Sequence, residues 1–167
     1  MKKILFIAVH PDDETLGCGG TILKHKNNGD EIHWMIITGP TANHPYGFTQ
    51  DFIKERQKVV LQVAEEYNFD KVTDLNLPTQ LLHAIDLRDL IIKIDESINE
   101  IKPQIVYMMF KHDVHSDHRI AFDAIYSCTK SFRYPFITKI LMYETLSETE
   151  FAPALPCASF IPNVYVD

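Results

Sequence analysis

Apolar positions along the chain alternate between two spacings. Lys3 to Val9, "KILFIAV", is apolar at every position after the lysine, which predicts a strand covered on both faces. Further strands are predicted at "EIHWMIIT" (Glu31 to Thr38), at "KVTDLNLP" before a turn at Pro78, at "QIVYMMF" (Gln104 to Phe110) and at "KILMYE" (Lys139 to Glu144). Between them the spacing is helical. Thr15 to Lys26 carries Leu16, Ile22 and Leu23 and stops at "NNGD", near Gly29. Phe48 to Tyr67 sets Phe52, Val59, Val60, Val63 and Ala64 among charges, and Asp86 to Ile101 gathers Leu87, Leu90, Ile91, Ile94 and Ile98 on one side. A last helix is predicted from about Ser116, and "GPTANHPYG" (Gly39 to Gly47) is a loop punctuated by Gly and Pro at both ends.

Strands alternating with amphipathic helices predict an α/β fold, a Rossmann-like three-layer sandwich with a mostly parallel sheet. No repeat, low-complexity tract or linker divides the chain, so residues 1–167 are expected to form a single domain. With 46% apolar and 23% charged residues the composition is that of a soluble globular protein. The net charge of −7, with no stripe of Lys and Arg, argues against nucleic acid as a partner. Cys18, Cys128 and Cys157 have no C-x-x-C spacing and fit reduced thiols. "MKKILFIAVHPDD" begins like a signal peptide, but its apolar run is too short and no A-x-A site follows. Phe151 to Val166 is broken by Pro153, Pro156 and Pro162, so no membrane span is expected and the chain reads as cytoplasmic.

Two polar clusters fall at predicted strand ends, where α/β sheets bind ligands. They are "HPDDE" (His10 to Glu14) and "KHDVHSDH" (Lys111 to His118). Charged groups at the end of a core strand are costly to desolvate unless paired or bound to a metal. A zinc ion accepts imidazole nitrogen and carboxylate oxygen, and its catalytic sites use three protein ligands with one open position. His10, Asp13 and one histidine of the second cluster would supply that set. Asp12 would then be a free carboxylate beside an activated water, the place of a general base. His115 and His118 stand one helical turn apart, so that one can bind metal while the other faces the reacting group. Asp117 lies between them as an acceptor able to orient a ring nitrogen. "GCGG" (Gly17 to Gly20) does not match G-x-G-x-x-G and is read as letting the helix start approach the sheet and a substrate closely. His25, His33, His44 and His83 lack such company, and His112 borders the second cluster outside the ligand set. Taken singly, "HPDDE" reads equally as a solvated helix start and "HSDH" as a capping turn. Their joint placement at strand ends favours a site.

"AVHPDDETLGCGGTI" followed by "HSDHRIA" resembles the LmbE-like (PIG-L) family of zinc-dependent N-acetylglucosaminyl deacetylases, with weaker similarity through "ERQKVVLQVAEEYNF", "LNLP", "IKPQIVY" and "MYET". While ligand type alone leaves Fe2+ as the alternative ion, the resemblance implies Zn2+ held by His10, Asp13 and His118, and Asp12 as general base. It further implies that His115 stabilises the oxyanion or protonates the leaving amine, with Asp117 as its partner. Arg56 falls where a sugar-contacting arginine is common, although Val59 stands where an acid usually follows. The implied reaction removes the N-acetyl group of a small or carrier-linked N-acetylglucosamine-type conjugate, releasing acetate and a free amine. "GPTANHPYGFTQ" and "NLPTQLLHAID" would form its rim, offering Tyr46, Phe48 and Gln80. Family members continue past the stretch matched by "FIPNVYVD", a segment these 167 residues do not contain. Self-association is left open. The rival readings are a metallo-phosphoesterase with two ions and a metal- or sugar-binding module without catalysis.

Overall fold

In the computed structural model, which describes every residue except 154 and 167, five strands and four helices alternate along the chain. They are β1 (Lys3–Ala8), α1 (Asp13–Asn27), β2 (Glu31–Gly39), α2 (Gln50–Glu66), β3 (Lys71–Pro78), α3 (Leu87–Ile101), β4 (Ile105–Met109), α4 (Ser116–Ser127) and β5 (Lys139–Tyr143), with a 3-10 turn at Leu82–Ala84. The sheet order is β3-β2-β1-β4-β5, and every pairing is parallel. This is the Rossmann-like three-layer sandwich that the alternation predicts.

Side chains alternate across a strand, so β1 feeds both layers. On one face Phe6 meets the ring of His25 from α1, and Ala8 clusters with Trp34 and Ile36 under Val60, Val63 and Ala64 of α2. The odd-numbered Leu5, Ile7 and Val9 belong to the larger core, together with Leu90, Ile94 and Ile98 of α3 and Ala121, Phe122 and Ile125 of α4. Burying each Leu or Ile of the α3 stripe contributes roughly 1.5–3 kcal/mol, which is what fixes a helix of ordinary propensity against the sheet.

Element ends differ from the sequence expectation in instructive ways. Helix α1 starts at Asp13, two residues before the expected Thr15, so that Asp13 and Glu14 sit in its first turn. Helix α2 starts at Gln50, because the Thr49 side chain accepts the Phe52 N–H as an N-cap. Strand β3 continues through Pro78, with an irregular register opposite Ile36 and Thr38.

The topology sets the site. From β1 the chain winds outward to β2 and β3, then returns to the other side of β1 as β4. The carboxyl ends of β1 and β4 therefore flank the point where the winding reverses, the crevice in which such sheets bind ligands. "HPDDE" leaves one of these ends and "KHDVHSDH" the other.

Candidate metal centre

After β1 the chain turns sharply, with the N–H groups of Asp12 and Asp13 both directed at the His10 carbonyl (2.9 and 3.3 Å). The end of β2 supports this turn, since the Thr38 N–H and hydroxyl both donate to the Val9 carbonyl (2.9 and 2.8 Å). Asp13 is buried, and its Oδ2 accepts the N–H groups of Val9 and His10, each at 2.9 Å. The same oxygen lies 3.3 Å from His118 Nε2, and that nitrogen lies 3.3 Å from His10 Nδ1. Two donors about 2.05 Å from a tetrahedral ion stand about 3.3 Å apart, so these separations suit a single zinc-sized cation. The chemistry of the donors agrees, since all three ligand atoms lie within 4.8 Å of one another. A His/Asp cluster that could hold a divalent metal ion is thus present, with His10, Asp13 and His118 as one set of candidate donors.

Electrostatics around His118 point the same way. Burial alone would lower its pKa, but its hydrogen bonds to the Asp113 and Asp13 carboxylates raise it to about 10. The locus therefore stabilises positive charge at neutral pH, and a dication competes there with a proton. Burial likewise works to raise Asp13, yet its bond with His118 and the neighbouring histidines hold it below the usual range.

Each histidine of the cluster has a carboxylate behind it. Asp113, fully buried, accepts from His118 Nδ1 at 2.9 Å. Asp117, also fully buried, places Oδ2 3.5 Å from His10 Nε2 and accepts the N–H groups of Gln80 and Leu82. A carboxylate on the distal nitrogen orients a ligating imidazole and selects its tautomer. Despite burial, His10 and these two N–H donors keep the Asp117 pKa low. Among the described residues a second donor grouping, His10, His115 and Asp117, is also close enough for a metal. It shares His10 and consumes the orienting carboxylate, so it is the wall of the first site.

The expected partnership of Asp117 with His115 takes a different form. The Asp117 backbone N–H donates to His115 Nδ1 at 3.1 Å, making His115 the N-cap of α4, while the Asp117 carboxylate faces His10. With Nδ1 accepting, the neutral ring carries its proton on Nε2 and presents a donor. Burial, and then the charge of His10, lower the His115 pKa, favouring that neutral form. Asp12 is the N-cap residue of α1 with an exposed side chain and no capping bond, and its carboxyl is raised, by partial desolvation first and by Asp13 next.

Asp12 and His115 line a cleft of about 320 Å³ with His10, Asp13, Gln80 and Glu148. Gln80 was expected at the rim and is there. Phe48 and Arg56 line an adjoining hollow of about 180 Å³ beside His10 and Pro11. Arg56 Nη2 donates to the Pro11 carbonyl at 3.5 Å, and Phe48 stacks on Phe52. Tyr46 is 71% exposed and lines neither. Glu14 is buried against the Thr15 hydroxyl, which donates to it at 2.6 Å. His25, His33 and His44 are held by Asp30 and Tyr107, by Glu31 and by the Thr79 carbonyl.

Sequence reasoning missed Asp113 and the turn at 145–149, of which Thr145, Leu146, Ser147 and Glu148 line the cleft. Asp113 stood in view within "KHDVHSDH", but nothing in its spacing from His118 told it apart from Asp117.

Residues 5–129 match the PIG-L family, described as GlcNAc-PI de-N-acetylase. Diacetylchitobiose deacetylase of Thermococcus kodakarensis is 27% identical over 132 residues, covering 72% of this chain and 46% of that protein. The uncharacterized deacetylase YaiS of Escherichia coli is 28% identical over 169 residues, covering 98% of this chain and 80% of that protein. The fold is shared with N,N'-diacetylchitobiose deacetylase from Pyrococcus horikoshii, with a TM-score of 0.67 at 23% identity over 87% of this chain and 61% of that one. The chain thus spans about half the length of the first of these relatives. No helix among the described residues is long and apolar enough to cross a membrane. The family match runs from within β1 to just beyond α4, the stretch that carries both halves of the cluster, and the chain belongs to the PIG-L, or LmbE-like, family.

Proposed function

We propose that this chain is a single-domain, cytoplasmic, zinc-dependent hydrolase that removes the acetyl group from an N-acetylglucosamine-type conjugate. One observation carries the reading: three ligand atoms of His10, Asp13 and His118 converge at the edge of a cleft whose other walls hold a free carboxylate and an imidazole N–H donor. A divalent ion, zinc in this reading and iron(II) as the alternative, supplies a Lewis acid that acidifies water and polarises an amide carbonyl.

The residues then divide the work. Asp12, exposed and with a raised pKa, accepts the proton of the attacking water, its basicity nearer neutrality than an ordinary aspartate's. The His115 Nε2–H donates to the oxygen on which negative charge develops, an effect worth roughly 3–4 kcal/mol for one well-placed donor. The amine leaves with the proton that Asp12 has taken up, which closes the proton balance. Asp117 and Asp113 hold His10 and His118 in orientation. In the hollow, Arg56 contacts sugar hydroxyls while Phe48 and Phe52 offer an apolar face.

The test is acetate release across a panel of N-acetylglucosamine conjugates, with phosphate release measured in parallel. Acetate should appear, be abolished by chelation and return on adding zinc. Asp12→Asn should retain the metal and lose about 10²–10⁴-fold in kcat. Phosphate release in place of acetate would favour the phosphoesterase reading, and tight sugar binding without acetate a non-catalytic module.

A further inference from the structure

The turn that follows β5 reaches back to the metal cluster through one hydroxyl. Thr149, 6% exposed, donates from Oγ1 to Asp113 Oδ1 at 2.7 Å and accepts the Thr145 N–H at 2.8 Å. Because Thr149 Oγ1 accepts from a backbone N–H, its single proton is directed at Asp113. The other oxygen of Asp113, Oδ2, is then the one that receives the His118 Nδ1–H. The donors converge on Asp113, which accepts the Thr149 hydroxyl on Oδ1 and the His118 Nδ1–H on Oδ2, and this leaves the lone pair of His118 on Nε2. That nitrogen is the atom facing Asp13 and His10. A second tie holds the two segments together, since the Val114 N–H donates to the Glu148 carbonyl at 3.2 Å.

We infer that Thr149 is a positioning residue of the metal site, fixing Asp113 and through it the tautomer and orientation of His118. The inference rests on the reading of His118 as a ligand. Without the hydroxyl, Asp113 Oδ1 and the Thr145 N–H are left buried and unpaired, and the carboxylate is free to rotate away from His118. The hydroxyl and the Glu148 carbonyl are two bonds by which this turn reaches the segment that carries the cluster. Orienting groups behind metal-bound histidines are worth about 10–100-fold in metal affinity, and a residue one bond further out belongs at the lower end.

Thr149→Val keeps the shape and removes the hydroxyl, while Thr149→Ser keeps the hydroxyl. Zinc dissociation constants are read by competition with a chromophoric chelator. The valine variant should bind about tenfold more weakly, and the serine variant within about twofold of the wild type. Long-range 1H–15N correlation spectra of the zinc-loaded wild type should show His118 protonated on Nδ1, a readout that needs no variant to fold. Undiminished affinity in Thr149→Val, with zinc bound by the wild type and lost in His118→Ala, would overturn the inference alone. A wild-type His118 protonated on Nε2 would overturn it also. Failure of the wild type to take up zinc would overturn the metal reading and the inference together.

Discussion

Two glycines of one helix should respond to the same substitution with opposite sign. Gly17 and Gly20 both lie inside α1, where replacing Gly by Ala favours the helix by about 1 kcal/mol. At Gly20 an added Cβ meets nothing within 4 Å, so Gly20→Ala should stabilise the protein by about that amount. At Gly17 the Cβ would stand 2.7 Å from the Glu144 carbonyl oxygen and 2.9 Å from Tyr143 Cε2, with Tyr143 Cδ2 closer still. The ring cannot swing aside, because Tyr143 is buried and its hydroxyl donates to the Ile7 carbonyl at 2.7 Å. Overpacking by one methyl costs about 1–3 kcal/mol, and a backbone atom and a pinned ring place this site at the upper end. The net expectation for Gly17→Ala is a loss of about 2 kcal/mol, a gap of about 3 kcal/mol between the two variants. In a chain of this length that corresponds to a fall of about 4–8 °C in Tm for one and a rise of about 2–4 °C for the other. Urea unfolding followed by far-UV circular dichroism measures both. Since α1 begins at Asp13, its displacement from β5 should also weaken metal binding in Gly17→Ala and leave it unchanged in Gly20→Ala. Equal stability of the two variants would refute the close approach of α1 to the end of β5.

Other consequences are open to measurement. Because His115 is held below its ordinary pKa, by burial first, and its Nδ1 already accepts a backbone N–H, the proposed mechanism has it act as a neutral donor. The kcat/KM profile should therefore rise to a plateau with pH, and an alkaline limb that His115→Gln abolishes would show the imidazolium to be the working form. Burial raises Glu14 from 4.5 to about 7, so its contribution to stability is complete below about pH 4.5 and is lost as pH rises through 7. The difference in unfolding free energy between wild type and Glu14→Gln should accordingly shift by on the order of 3 kcal/mol in favour of the variant between pH 4.5 and 8, and a flat difference would contradict it. Arg56→Ala should raise KM for the sugar conjugate about tenfold or more with metal affinity intact, and a loss confined to kcat would place Arg56 at the reacting atoms instead.

What the sequence disclosed of this site follows from how locally each interaction is made. Strand β1 and its polar exit were legible because an unbroken apolar run ending in "HPDDE" is a local pattern, and the parallel order followed from alternation. The start of α1 was misplaced by two residues, because Asp13 does not behave as a solvated first-turn acid. Its carboxylate turns back to the N–H groups of Val9 and His10, which draws it into the helix and the core at once. The partner of Asp117 was illegible for a different reason. Its oxygens are claimed by Gln80 and Leu82, which arrive on the segment after β3, and Gln80 adopts a left-handed φ of 60° to deliver its N–H. Neither that conformation nor the contact has a signature within "HSDH". Thr149 is as remote, 36 residues from the aspartate it bonds against 37 between Gln80 and Asp117.

The distribution of charge also separates the competing chemistries. Four aspartates, 12, 13, 113 and 117, surround the locus, and Glu148 adds a fifth carboxyl whose pKa is raised, by burial first. A single dication offsets only part of this. Arg56 lies in the adjoining hollow, and the Arg119 guanidinium is engaged by the backbone carbonyls of Asp113 and Val114. A phosphate within about 5 Å of one uncompensated carboxylate is disfavoured by about 3 kcal/mol per unit charge at an effective dielectric constant near 20. A phosphoesterase would need cationic side chains or a second ion at this point, and the other donor grouping found among the described residues shares His10 with the first. An acetamide enters without charge, and its hydrolysis leaves an ammonium group that the same carboxylates favour. The field that makes the cleft hostile to a phosphate ester is thus the one that suits a neutral amide on its way to a cationic amine.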